Sequence, residues 1–196
     1  FNKTIWLPHC KRSKYRPVYD KYTLNTFPGF ALTDVDTNWK AVDFKNTHVY
    51  RLLFENLCNE RTDCYNYLER SIAMKLQKSW VKLPICHIWC GSKPGVGKSS
   101  LLTFLSRMFT VGMSENEICL SFSNIGSFCH RFNNCLSKNL WVSLEEVKSN
   151  GKLTDFDNYL KDFVSNPWVI NEKKGIDKEY KRNYSTCLIF SNERTI

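Results

Sequence analysis

Apolar residues recur at helical spacing in two stretches of the first half of the chain: Val49, Leu52, Leu53 and Leu57, then Tyr65, Leu68, Ile72 and Leu76. The break at Asn59 to Arg61 separates two helices, and Thr62 or Asp63 is placed to cap the second. Residues 1–46 keep neither a helical nor an alternating period, and their interleaved aromatics, prolines and charges predict loops with short strands. Beyond Pro84 the pattern changes. Short apolar runs at Ile85–Cys90, Ile118–Phe122, Leu140–Leu144, Trp168–Ile170 and Thr186–Phe190 have the length of strands. Between them lie helical spacings: a leucine-rich stretch from Leu101, then Ile125, Phe128, Cys129, Phe132 and Leu136, then Leu153, Phe156, Leu160, Phe163 and Val164. Thr154 and Asp157 stand in a capping-box-like arrangement, and Asn166-Pro167 stops that last helix. Strands alternating with helices predict an α/β domain on a parallel sheet.

The junction of the first strand and its helix carries the chemistry. Ile85–Cys90 runs into Gly91-Ser92-Lys93-Pro94-Gly95-Val96-Gly97-Lys98-Ser99-Ser100 and then into the leucine-rich helix. Strand, glycine-rich turn, Gly-Lys-Ser and helix are the context of a phosphate-binding P-loop. Gly95 and Gly97 permit the positive φ angles that turn backbone N–H groups inward, and the helix start adds unpaired N–H groups of its own. The predicted nucleotide contacts are Ser92, Pro94, Gly95, Val96, Gly97, Lys98, Ser99 and Ser100. Lys98 reaches the β- and γ-phosphates of ATP, and the Ser99 hydroxyl holds Mg²⁺. A strict pattern has glycine where this chain has Ser92, with Gly91 one position earlier.

Asn139-Leu140-Trp141-Val142-Ser143-Leu144 ends in Glu145 and Glu146. Two carboxylates side by side at the end of a buried strand repel one another and lose hydration unless a cation compensates. Mg²⁺ bound to ATP is that cation, and parallel sheets bind ligands at the carboxyl ends of their strands. Glu145 is predicted to face Mg²⁺ or its waters, and Glu146 to act as general base on the attacking water. At the end of the last strand, Asn192 is placed to bond the γ-phosphate or that water.

Trp168-Val169-Ile170-Asn171-Glu172 leads into Lys173-Lys174-Gly175, a hairpin tip that presents ammonium groups to phosphates, with Lys178, Lys181 and Arg182 behind it. A simply solvated turn is the alternative, since Glu172, Asp177 and Glu179 dilute the charge. Lys11, Arg12, Lys14 and Arg16 around Tyr15 read as a solvated loop, with contact to nucleic acid backbone and bases as the alternative. His130 and Arg131 read as surface residues off an apolar stripe, nucleic acid contact being the alternative there too.

Composition narrows the classes. The net charge of +9 fits a polyanionic partner, no apolar run has membrane-spanning length and no signal segment opens the chain, so the expectation is an intracellular protein, in nucleus or cytoplasm. The nine cysteines form no C-x-x-C pair, and most sit in apolar runs as reduced thiols. Cys86, His87 and Cys90 alternate across a strand and do not make a zinc site. A start at Phe1 and a stop just after a strand predict a piece of a longer protein.

The glycine loop, the Leu-Trp-Val-Ser-Leu-Glu-Glu strand, the Lys-Lys-Gly turn and the Leu-Ile-Phe-Ser-Asn strand occur in the order of the superfamily 3 helicases. The chain most resembles the helicase domain of viral and phage primase-helicases, the poxvirus type and its phage relatives. Leu24 to Phe30 and Ala73 to Gln77 match segments that precede the loop in that group, so the resemblance covers about residues 22–194. It implies a five-stranded, AAA+-like P-loop NTPase core at residues 85–196, truncated at its C-terminus, with helices on both faces. A loop-rich lead-in (1–46) and a helical pair (47–84) precede that core. It also implies an ATP-dependent, Mg²⁺-requiring DNA helicase that moves on single-stranded DNA as a homo-hexamer, with a primase domain or partner. By the same resemblance Glu145 and Glu146 are the Walker B pair, Asn192 is sensor 1, and Lys173 and Lys174 track DNA. No arginine finger is assignable before Ile196; Arg194 follows Asn192 too closely for that role. Two other readings compete: a nucleotide-gated scaffold or loading module that binds ATP without unwinding, and a P-loop phosphotransferase, against which stands the lack of an arginine-rich lid.

Overall fold

The computed structural model describes residues 3–5, 23–25, 43–91, 95–109, 119–129, 134–145, 153–172 and 178–192. The lead-in contributes two short strands, β1 (Lys3–Ile5) and β2 (Thr23–Asn25), paired in parallel. The basic cluster around Tyr15, together with His130 and Arg131, lies outside the described residues.

Helix α1 (His48–Tyr50) begins at Thr47, whose Oγ1 accepts the Tyr50 N–H, and continues without a break as a π-helical segment, Arg51–Leu57. Left-handed backbone at Asn59 and Glu60 then turns the chain into α2 (Thr62–Gln77), where the sequence breaks its stripe. The predicted cap is corrected: Arg61 is the N-cap without a side-chain bond, and Thr62 is the first helical residue. Asp63 is held instead by the Arg61 guanidinium at 2.7 Å. Leu53, Leu57, Tyr65, Leu68 and Ile72 are buried.

The central sheet consists, among the described residues, of β3 (Cys86–Cys90), β4 (Cys119–Phe122), β5 (Trp141–Leu144) and β8 (Thr186–Ser191), all parallel, in the order β3-β8-β5-β4. Four strands are present there where the resemblance implies five. Strand β3 lies at the edge of these four, and its Ile88 is 53% exposed, so that run is not buried throughout. Alternation on the central strands divides two cores. Trp141, Leu188 and Phe190 face α2 and α3 (Lys98–Phe109), with Leu101, Leu105 and Phe109 fully buried against them. Val142, Leu144, Cys187 and Ile189 face the other side, where α5 (Leu153–Ser165) brings Phe156 and Phe163. Helices therefore cover both faces. Of the helix expected over 124–136, the described residues form α4 (Ile125–Phe128), which ends with its C-cap at Cys129, and a 3₁₀ turn at Asn134–Lys138.

After α5, strands β6 (Trp168–Asn171) and β7 (Glu179–Arg182) pair antiparallel, which is the hairpin expected around Lys173 and Lys174. Asn183 fastens this excursion to the core. Its Nδ2 donates to the Phe163 carbonyl at 2.8 Å and the Asn166 carbonyl at 3.1 Å, and its Oδ1 accepts the Ser185 N–H at 3.0 Å. Lys75 is fully buried in α2, with Nζ donating to the carbonyls of Val81, at 3.0 Å, and Tyr184.

Candidate functional site

All four parallel strands end at the same edge of the sheet, and the residues that follow β3, β5 and β8 meet there. Gly95 and Gly97 have φ of +76° and +92°, the left-handed region that glycine enters without penalty. The Gly97 carbonyl accepts the Leu101 N–H, so Gly97 caps α3. The N–H groups of Lys98, Ser99 and Ser100 fall in the first turn, where the helix offers them no carbonyl. A Cβ on Gly97 would come within 2.3 Å of Leu52 Cδ1, so the π-helical segment is packed against the back of the loop.

Lys98 Nζ donates to Asn192 Oδ1 at 2.6 Å and to the Ser191 carbonyl at 3.0 Å. The same carbonyl accepts the Gly91 N–H, continuing the β3–β8 ladder into the loop. An ammonium has three donors, so a further one is available to a ligand. Glu145 follows β5, and its N–H bonds the Phe122 carbonyl at 2.8 Å. Ser121 Oγ on β4 donates to Glu145 Oε1 at 2.8 Å and fixes that carboxylate. Gly95, Gly97, Lys98, Ser99, Glu145 and Asn192 line a single cleft of about 310 Å³, with Phe190 also in the lining. The lining thus offers N–H donors and an ammonium, together with a carboxylate and the Ser99 hydroxyl. An anion suits the first set and a hard cation the second.

The predicted residues Gly95, Val96, Gly97, Lys98, Ser99, Ser100, Glu145 and Asn192 are therefore brought together. Ser92, Pro94, Glu146, Lys173 and Lys174 lie outside the described residues. Sequence reasoning missed Ser121, Leu52 and Phe190. Ser121 carried a signal: a hydroxyl inside the apolar run Ile118–Phe122. Leu52 and Phe190 had none, since each reads as core.

Residues 89–196 match the model of a family of unknown function, DUF5906. The match spans more than half of the chain and takes in the loop, Glu145 and Asn192. The chain belongs to the DUF5906 family. Its family match begins within β3, so the helices α1 and α2 precede the DUF5906 segment. No curated protein matches the chain. Among solved structures it is similar to the apo A form of the NrS-1 C-terminal region, with a TM-score of 0.71 at 20% identity over 98% of this chain and 43% of that one. A second apo structure of that region gives 0.70 at 21% identity, over 97% and 42%. At that identity the likeness is one of fold, and it includes the elements ahead of the DUF5906 segment. The chain spans about two-fifths of the length of those NrS-1 chains.

Proposed function

We propose that this DUF5906 chain is the ATP-hydrolysing module of a DNA replication protein, of the superfamily 3 helicase type, moving on single-stranded DNA as a homo-hexamer. The observation that carries this reading is the convergence of Lys98, Asn192 and Glu145 in one cleft, with the asparagine strand β8 between the lysine and carboxylate strands. The fold likeness to the NrS-1 C-terminal region supports it.

In this reading the triphosphate lies across the α3 N-terminus. The N–H groups of Gly97 to Ser100 bond its oxygens, and Lys98 moves part of its bonding from Asn192 and the Ser191 carbonyl to the β- and γ-phosphates. Released from Lys98, the Asn192 amide turns to the γ-phosphate or the attacking water. Ser99 and Glu145 would hold Mg²⁺, and the donor set fits: a hydroxyl and a carboxylate lining one cleft are hard oxygen ligands. When bound, the ion neutralises charge on the phosphate oxygens. Glu146 takes the proton of the attacking water. Lys173 and Lys174, which follow β6 in the sequence, would contact the DNA backbone.

The test is ATP turnover with and without single-stranded DNA, in the longest form of the protein that carries this chain. DNA-stimulated turnover that Lys98→Ala abolishes is the expected result. Tight ATP binding without turnover, with or without DNA, would replace the helicase by a nucleotide-gated scaffold.

A further inference from the structure

At the ends of β3 and β8 away from the cleft, two cysteines meet. Cys86 opens β3 and pairs in register with Cys187 on β8. Register partners on neighbouring parallel strands lie about 4.8 Å apart and point to the same face of the sheet. That separation falls within the range of about 4.4–6.8 Å that a disulfide spans between Cα atoms. Both side chains turn to the face that α5 covers: Cys187 belongs to that core, and Cys86 packs against it. The two thiols are free, and they are hydrogen-bonded to each other.

Their surroundings differ in a way that suits thiol–disulfide exchange. Cys187 is fully buried, whereas Cys86 is partly exposed, on the strand at the edge of the described sheet. The hydrogen bond to Cys86, together with burial, holds the Cys187 thiol well above its ordinary range, so it stays protonated while Cys86 is unmodified. The Lys82 ammonium acts on both sulfurs. Its Nζ donates to the Ser185 carbonyl at 2.5 Å and lies 4.7 Å from the centre of the Phe163 ring, in the core that holds Cys187. A partly exposed thiol near a cation is the setting of a reactive cysteine.

We infer that Cys86 and Cys187 form a redox-active pair, which a low-molecular-weight disulfide closes into a covalent bond between β3 and β8. Cys86, as thiolate, attacks one sulfur of the small disulfide; the S–S bond of that molecule breaks, and one small thiolate leaves. Cys187 then loses its proton to solvent and attacks the Cys86 sulfur, and the second small thiolate leaves. Two protein thiols are oxidised, and one small disulfide is reduced to two thiols. In a reducing compartment the pair stands open, and it closes when the surrounding thiol pool is oxidised. The bond fastens β3, the edge strand that leads into the glycine loop, to the strand that ends at Asn192.

The test treats the longest form of the protein that carries this chain with oxidised and reduced glutathione, well below its Tm, followed by acid quenching and peptide mapping by mass spectrometry. The expected product is a link between Cys86 and Cys187 that dithiothreitol removes, with a Tm raised by about 5 °C or more. Cys187→Ala is expected to stop at the mixed disulfide, carrying one glutathione on Cys86. Cys86→Ser should leave Cys187 unmodified. The wild-type map decides the matter even if a variant fails to fold: no link, or a link between other cysteines in place of this one, overturns the inference. So does a wild type that carries glutathione on Cys86 without closing. Glutathione on Cys187 in Cys86→Ser would contradict the order of attack, and an oxidised form less stable than the reduced one would contradict the clamp.

Discussion

Lys98 Nζ and Asn192 Oδ1 lie 2.6 Å apart, joining the first turn of α3 to the end of β8 across 94 positions of sequence. The β3–β8 pairing sets the stage for this contact: Cys90 pairs with Ser191, whose carbonyl also accepts from Lys98, and Asn192 follows directly. A lysine poised against an amide and a carbonyl, both neutral acceptors, is free to exchange either for a phosphate oxygen.

The packing of Leu52 behind the loop makes Gly97 doubly sensitive. Gly97→Ala places a Cβ at a φ of +92° and within 2.3 Å of Leu52 Cδ1, so urea unfolding should show a loss of about 1–3 kcal/mol. Adding Leu52→Ala removes the clash and leaves the backbone strain. The pair should therefore be less destabilised than the two single effects sum to, and strict additivity in the double-mutant cycle would sink the account of the loop's rear wall.

Asn183 is a second structural anchor. Asn183→Ala strips partners from the carbonyls of Phe163 and Asn166 and from the Ser185 N–H in a buried setting. The expected loss is about 2–4 kcal/mol in urea unfolding. A loss under about 0.5 kcal/mol would show that these groups find other partners.

Much of the fold was legible because its signals are local. Stripes such as Tyr65, Leu68 and Ile72, and the apolar run at β8, report burial through their period alone. The site was legible where backbone freedom and charge are written into residue types, as at Gly95, Gly97, Lys98 and Glu145. The helix expected over 124–136 ends at Phe128 because a stripe records which residues are buried and not where a helix stops. Ile88 misled for a related reason: an apolar residue in a strand run does not disclose that the strand lies at the edge of the described sheet.

Burial pushes the Lys75 ammonium down to about 7 and that of Lys82, which donates to the Ser185 carbonyl, down to about 8. As a neutral amine, Lys75 has two N–H groups for its two carbonyl partners. Between about pH 7 and the ordinary lysine range near 10.5, the unfolded chain binds more protons than the folded one, so stability should rise with pH from 7 toward 8.5. Burial raises the Cys58 thiol to about 11, and it raises the Tyr65 phenol, which donates to Glu69, to about 12. Those groups reverse the trend only at higher pH. Lys75→Met should flatten the slope of unfolding free energy between pH 7 and 8.5. An unchanged slope would contradict a neutral Lys75.

Ser121 sets the direction of the Glu145 carboxylate. Ser121→Ala should slow ATP turnover about tenfold, through a misplaced metal ligand, while ADP affinity in EDTA stays unchanged. Turnover equal to wild type would remove Ser121 from the site.

Whether the cleft at Lys98, Asn192 and Glu145 binds a nucleoside triphosphate is decided by calorimetric titration of ATP into wild type and Lys98→Ala. Binding in the micromolar range, weakened at least about tenfold in the variant while its Tm is retained, is the predicted result. No binding by wild type, or equal binding by both forms, would contradict it.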